Sequence, residues 1–365
     1  MMKWFFRLIL LVSILSAGTT SSSHIAEVIS VEVNSIQGIT DIDVLVLVAN
    51  GVGESYFINK EQLESWGCNT ITVNCGLTEN VVYCPNQEPR PITTDILISE
   101  IEDITDYDCV LIPSGGHWSI LSANHEVREL ISVAHDEGLI VASICVGLAV
   151  VASADIINGT KVAGHPNANA AVNAAGGIIV YSRVVSDDRV VTAGSGGGPG
   201  IGASAAPNQE FCLALVKEVL GYSYSVNTEI EKLSGGEETG YSINVKTTDL
   251  AEFKNSLNAS SSEIYRVNAI LYDVSDETNV SFIQNIELKD NDNDSTYNGT
   301  FNGLERGKYR VDVEIRDIIG NMEVIRNALT FSAGAAVSGW ELPTFIAGTA
   351  LFSCMSKDRK RRKPS

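Results

Sequence analysis

The sequence is short of positive charge. Lys and Arg number 25 against 45 Asp and Glu, a formal net charge of −20. So acidic a chain has no general basic face for the phosphates of nucleic acid or for an anionic lipid surface, which excludes nucleic acid as a partner of the main body and leaves a solvated acidic exterior. Paired CxxC motifs are also missing. The seven cysteines, Cys68, Cys75, Cys84, Cys109, Cys145, Cys212 and Cys354, have no metal-ligand spacing, so no zinc site is expected, and no motif calls for a cofactor. Cys75 and Cys84 lie close enough in sequence to pair in an exported body, although spacing alone fixes no connectivity. A calcium loop is absent too: Asp290, Asp292 and Asp294 imitate its start, but the turn glycine is lacking and Phe301 stands where a bidentate Glu belongs, so "KDNDNDS" reads as a solvated hairpin turn.

What is present is globular. With 44% hydrophobic and 19% charged residues the chain can bury a core, and 365 residues suggest two domains plus targeting segments. The start, "MMKWFFRLILLVSILSAGTTSSS", has Lys3 and Arg7 before an apolar run and small residues at Ser16, Ala17 and Gly18, the pattern of a signal peptide over 1–18 followed by a spacer over 19–40. The end predicts a transmembrane anchor over 334–355 and a basic cytoplasmic tail over 356–365, "SKDRKRRKPS". Both folded parts are then expected on the extracytoplasmic side of the cell membrane. Sequons at Asn158, Asn258, Asn279, Asn293 and Asn298 suit an exported surface.

From 41 to 222 short β-rich runs alternate with helical stretches: "DVLVLVA", "NKEQLESWG", "NTITVNC", "YDCVLIPSGG", "HEVRELISVAHDEG", "LIVASI", "VGLAVVASADII", "RVVTAG" and "NQEFCLALVKEVLG". That period predicts an α/β domain, a three-layer α/β/α arrangement about a mainly parallel sheet of flavodoxin type. The segment 223–240 is polar and glycine-containing and reads as a linker. Over 241–333 strands of period-2 alternation follow one another without a good amphipathic helix, which predicts a small all-β sandwich. Its "GKYRVDVEIRDIIGN", Gly307 to Asn321, resembles the last hairpin of immunoglobulin-like domains.

In parallel sheets chemistry gathers at the carboxyl ends of the strands. Cys145 closes "LIVASI" and opens the following helix, where unpaired N–H groups and a helix dipole favour a thiolate, and Gly147 permits the sharp turn. Without further context a cysteine there reads first as a small buried hydrophobe, since a lone cysteine at an apolar strand end is usually structural. His117 follows a Gly-Gly turn and reads as a loop residue, while His125 and His135 read as surface positions on a helix.

"ASICVGLAVVA" is similar to the nucleophile-elbow segment of the DJ-1/PfpI family, and "KVAGHP", Lys161 to Pro166, resembles the histidine-bearing segment of its DJ-1 branch. "GVGESYF" places Glu54 as the family places its glutamate, and "YDCVLIPSGG" looks like its oxyanion turn. The resemblance covers roughly 41 to 222. It implies that Cys145 is the nucleophile, Glu54 the carboxyl hydrogen-bonded to it, His165 a proton shuttle or orienting group, and the N–H groups of Gly116 and Val146 the oxyanion-binding pair. A protonated Glu54 could donate to a thiolate where an ionised one would repel it. It also implies a small-molecule carbonyl or acyl substrate and a homodimer through the α/β domain. Three features depart from the family pattern. Val146 stands where PfpI-type peptidases carry histidine, the turn Pro113-Ser114-Gly115-Gly116 is one residue longer than Pro-Gly-Gly, and "TAGSGGGPGIG" lacks the arginine that often precedes Gly-Pro-Gly. The readings left open are a cysteine hydrolase or glyoxalase-type lyase, a non-enzymatic redox-sensing or ligand-binding module, and a peptidase.

Overall fold

The computed structural model describes residues 39–76, 81–84, 90–194, 207–221, 226–233, 240–247, 264–276, 278–317 and 320–334. The signal peptide, most of the spacer, all of the anchor but Gly334, the tail and the glycine-rich loop after Gly194 lie outside them. No helix among the described residues is long and apolar enough to cross a membrane.

In the first half the elements are β1 (Asp43–Val48), α1 (Ser55–Trp66), β2 (Asn69–Asn74), β3 (Val81–Cys84), β4 (Arg90–Thr93), β5 (Ile96–Leu97), β6 (Cys109–Ile112), α2 (Trp118–Ala123), α3 (His125–Asp136) and β7 (Ile140–Ile144). Then come α4 (Leu148–Ser153), β8 (Lys161–Ala163), α5 (Asn169–Ala174), β9 (Ile178–Val180), β10 (Val184–Asp187), β11 (Val190–Ala193) and α6 (Asn208–Val219). Among its described residues the regular elements of the second half are all strands: β12 (Val226–Leu233), β13 (Gly240–Thr247), β14 (Ile264–Asp273), β15 (Ser281–Leu288), β16 (Thr296–Phe301), β17 (Gly307–Asp317) and β18 (Met322–Ala333).

β1 reads DVLVLV because both of its faces are covered. Val44, Val46 and Val48 join a core with Leu63 of α1 and Phe211, Leu215 and Val216 of α6, whereas Leu45 and Leu47 join another with Ile131 of α3 and Val150 of α4. The alternation of a strand thus divides one hydrophobic run between two helical layers, giving the expected α/β/α arrangement. Strands run β2-β1-β6-β7-β11 in space, all pairs parallel, with β10 antiparallel beside β11. Strand addition reverses direction between β1 and β6, and the crevice at their carboxyl ends is a topological switch point, the usual ligand position in open α/β sheets.

The second half is a two-sheet β-sandwich. β12-β13-β16 face β15-β14-β17-β18 across a core that includes Ile243, Val245, Leu271, Phe301, Val311 and Val313. Val226–Leu233, inside the segment read as linker, is a strand paired along its length with β13. Its charged, outward-alternating residues hid it, since from Thr228 on only Thr228 and Ile230 turn toward the core. The sandwich continues the α/β sheet: β18 pairs in parallel with β10 through Val185–Met322 and Ser186–Glu323, making one sheet of 11 strands.

Candidate functional site

Three loops meet at the switch point. The loop after β1 carries Glu54, half-buried at the entry to α1, whose carbonyl accepts the Phe57 N–H. It is laced to the turn after β6: Val52 bridges Gly115, the Gly53 N–H donates to the Ser114 carbonyl at 2.7 Å, and the His117 N–H reaches the Gly51 carbonyl at 3.3 Å. The lengthened turn has a structural use. Ser114 N–H donates to Ser55 Oγ at 2.8 Å and the two hydroxyls lie 2.7 Å apart, so the extra residue clasps the start of α1. This also explains why α1 begins at Ser55, earlier than its sequence pattern suggests.

The third loop is the elbow after β7. Cys145 has φ 60, a left-handed conformation that costs a side-chain-bearing residue energy and concentrates at functional sites. A methyl on Gly147 would sit 2.8 Å from the Ile112 carbonyl oxygen and 2.9 Å from that of Pro113, so only glycine lets the elbow press against the end of β6. Cys145 follows Ile144, the register partner of Ala193 in β11. Gly194 in turn abuts the backbone of Gly164, where an added methyl would meet the carbonyl oxygen at 2.7 Å. His165 follows directly. Cys145 and His165 therefore leave the same edge of the fold on either side of the end of β11.

Electrostatics correct one expectation. The Cys145 thiol is pushed above its ordinary value, because burial disfavours the thiolate more than the Val146 N–H favours it. The expected dipole is weak, since the elbow opens as a short 3-10 turn over Cys145–Gly147 and α4 has only 6 residues. Burial lowers His165, so its imidazole is neutral near pH 7, with Nδ1 accepting the Asn167 N–H at 3.3 Å. Val146 supplies a main-chain donor to the sulfur, and Gly116, in the turn after β6, is exposed.

Two histidines read as exposed are buried. His117 is fully enclosed, with Nε2–H donating to the Pro113 carbonyl at 3.0 Å and Nδ1 left without a partner, and burial pushes it down to about 4. It braces the Pro113–Gly116 turn as a neutral ring. The signal missed was its place between that turn and the apolar face of α2. His135 is buried too, its Nε2 lying 3.0 Å from the Asp188 carbonyl, while His125 is exposed beside Glu129. Cys75 is a free, buried thiol donating to the Val73 carbonyl at 3.6 Å, which removes it from the expected disulfide: the end of β2 buries its sulfur inside the α/β core. Cys68, Cys109 and Cys212 are likewise free and buried, so Cys145 is the most accessible of these five thiols. Asp290, Asp292 and Asp294 converge within 4.8 Å, with Asp290 accepting the N–H groups of Asp294 and Ser295, an acid-rich turn closed on itself.

This fold and elbow define a class that comparison with known proteins identifies. Residues 42–218 match the DJ-1/PfpI family, and the chain carries a domain of that family. DJ-1 protein homolog F of Arabidopsis thaliana is 36% identical over 93 residues, a match spanning 25% of this chain and 23% of the relative. Among solved structures the chain is similar to the ThiJ/PfpI domain protein from Brachyspira murdochii (24% identity, 50% of this chain and 96% of that chain, TM-score 0.43). It is also similar to Schizosaccharomyces pombe DJ-1 (21% identity, 49% and 92%, TM-score 0.42).

Proposed function

We propose that the DJ-1/PfpI domain is a cysteine-dependent enzyme acting on small carbonyl or acyl substrates, with Cys145 as nucleophile. The observation that carries this reading is Cys145 held at φ 60 at the switch point, its elbow pressed by Gly147 against the Ile112 and Pro113 carbonyls at the end of β6. Because the thiol rests protonated, attack needs a base, and the neutral imidazole of His165 suits that role. As sulfur bonds to the carbonyl carbon, the C=O π pair moves onto oxygen, the thiol proton passes to His165 or Glu54, and the N–H groups of Gly116 and Val146 stabilise the oxyanion. Collapse of the intermediate returns the proton to the leaving group or product. Turnover of a panel of small aldehydes and acyl esters, with Cys145→Ser as control, tests the proposal; equal rates for both proteins would end it.

The second reading is a redox-sensing module. It is favoured by Cys145 being half-buried where Cys68, Cys75, Cys109 and Cys212 are buried, and oxidation to the sulfenic acid without turnover would support it. A PfpI-type peptidase is disfavoured by Val146.

The surroundings belong to the same proposal. The sandwich is read as immunoglobulin-like, a reading supported by its four-on-three strands and by Tyr309, whose hydroxyl donates to the Glu305 carbonyl at 3.1 Å across the turn entering β17. Export and single-pass anchoring rest on the two sequence ends, and protease treatment of intact cells, sparing only a short tail fragment, tests them. Pairing of two copies through the α/β domain is tested by the solution mass of the chain.

A further inference from the structure

The segment leading to His165 is gripped by the β-sandwich. Arg326 of β18 donates through Nε to Asp187 Oδ1 at 2.6 Å and through Nη2 to Oδ2 at 2.7 Å, and Nη2 also reaches the Gly159 carbonyl at 2.8 Å. Asp187, whose side chain is fully buried, accepts the Lys161 N–H at 2.7 Å. The Lys161 ammonium pairs with Glu314 of β17, both side chains being largely buried. Two residues on, Ala163 packs in one cluster with Val185 of β10 and with Met322 and Val324 of β18. From 159 to 163, then, a carbonyl, an N–H, an ammonium and a methyl group are held directly or through Asp187 by residues of the sandwich, and His165 follows immediately.

The grip has its own shaping device. The β17–β18 ladder slips between Val311 and Val313, where β18 bulges, and Asn327 takes φ 55 while its N–H donates to Asp312 Oδ1 at 2.9 Å. Bulges re-aim side chains, and asparagine tolerates this conformation better than most residues. Arg326, next to it, is turned out of the sandwich toward Asp187.

We infer that Arg326 and Glu314 are positioning residues for His165, so that the sandwich completes the active site of the DJ-1/PfpI domain. The inference rests on the role proposed above for His165, but its structural content stands separately. Neither residue touches substrate. Both fix the strand that delivers the imidazole, and a base displaced by a fraction of an ångström loses much of its effect.

The test uses the full chain and three variants, Arg326→Ala, Arg326→Lys and Glu314→Gln. The first readout is the NMR titration of the His165 imidazole. In the wild type it lies below the ordinary 6.5 because the ring is partly buried, and in Arg326→Ala it should move up as the segment loosens and hydrates. Arg326→Lys, which keeps the charge without the two-pronged contact, should fall between. The second readout is turnover: kcat should drop about 10-fold or more in Arg326→Ala with KM little changed, and the same substitution in a His165→Ala background should add nothing. Cys145 alkylation should be unaffected. A folded Arg326→Ala with wild-type His165 titration and kcat overturns the inference. If that variant does not fold, wild-type values in both Arg326→Lys and Glu314→Gln overturn it instead. Absence of wild-type turnover on every substrate would sink the enzyme proposal, and the His165 titration would still decide the positioning role.

Discussion

Gly115 and Gly116 are neighbours in one turn, yet a methyl group added to each should have very different consequences. At Gly115, with φ +124, the new carbon would lie 2.2 Å from Gly53 N, 2.6 Å from the Gly51 oxygen and 2.7 Å from the Val52 carbonyl carbon. All three are backbone atoms, so the clash cannot be relieved by a rotamer. The loop after β1 must separate from the turn, giving up the Gly53–Ser114 bond and the Val52–Gly115 bridge, at about 1 kcal/mol for each bond and about 1–3 kcal/mol of backbone strain. Gly115→Ala should therefore cost about 3–5 kcal/mol. At Gly116 the same methyl meets only the Gly51 oxygen at 3.8 Å, an ordinary contact, and Gly116→Ala should cost less than about 1 kcal/mol. Urea denaturation of the two variants beside the wild type measures both numbers at once. Equal midpoints for the two variants would show that the loops are not locked together as described. In the enzyme reading Gly115→Ala should also abolish turnover at temperatures where the protein stays folded, since Glu54 and the oxyanion donors lose their common frame.

The thiol makes a second prediction: raised by burial above 9.0, Cys145 should be at most about 1% thiolate at pH 7, and its alkylation rate should still be climbing at pH 9, whereas a plateau below pH 8 would contradict the burial argument. Glu218 makes a third. Burial, helped by the charges of Glu323 and Asp187 and opposed by Lys217 and Ser186, raises it from 4.5 to about 7, so between those pH values the folded state holds a proton that the unfolded chain has lost. The stability this contributes is complete below pH 4.5 and disappears as pH rises through about 7. Glu218→Gln should consequently gain on the wild type by about 1–3 kcal/mol between pH 5 and 8, and a pH-independent difference would refute the assignment. Phe301, fully buried in the sandwich core, should cost about 3–5 kcal/mol when cut to alanine, measured as the shift in urea midpoint.

Much of the α/β layer was legible because its strands are buried on both faces. DVLVLV needs no partner to be recognised, and the Val127–Ile131–Ala134 spacing announces α3. The elbow was legible because a lone cysteine between a β-rich run and a glycine falls where parallel sheets put their chemistry. What failed was any property fixed by the depth of burial. The thiol was expected to ionise easily because a helix follows it, but the dipole of a 6-residue helix is small beside the loss of hydration. His117 and His135 looked exposed because histidine in a loop or on a mixed helix face usually is, and only the third dimension shows the backbone carbonyls of Pro113 and Asp188 that receive them.

The seam between the two halves was illegible for a different reason. Asp187 and Arg326 are 139 residues apart and Lys161 and Glu314 are 153 apart. Each sits in a strand whose local pattern tolerates a charge on a solvated face, so each reads as surface when taken alone. They become a buried network because β18 adds to β10 and brings one such face against another. Burying ions is expensive unless each is paired with good geometry, and removing one partner of such a pair costs about 3–5 kcal/mol while apolar replacements of both are often tolerated. A hydrophobic seam would hold the two halves together at least as well. The charges do something that an apolar contact cannot: a bidentate Arg326 bound to Asp187 and to the Gly159 carbonyl fixes direction and register along the strand to His165. A seam built for precision in place of maximal stability is what a fold would need if the second half of the chain helped to aim a catalytic group in the first.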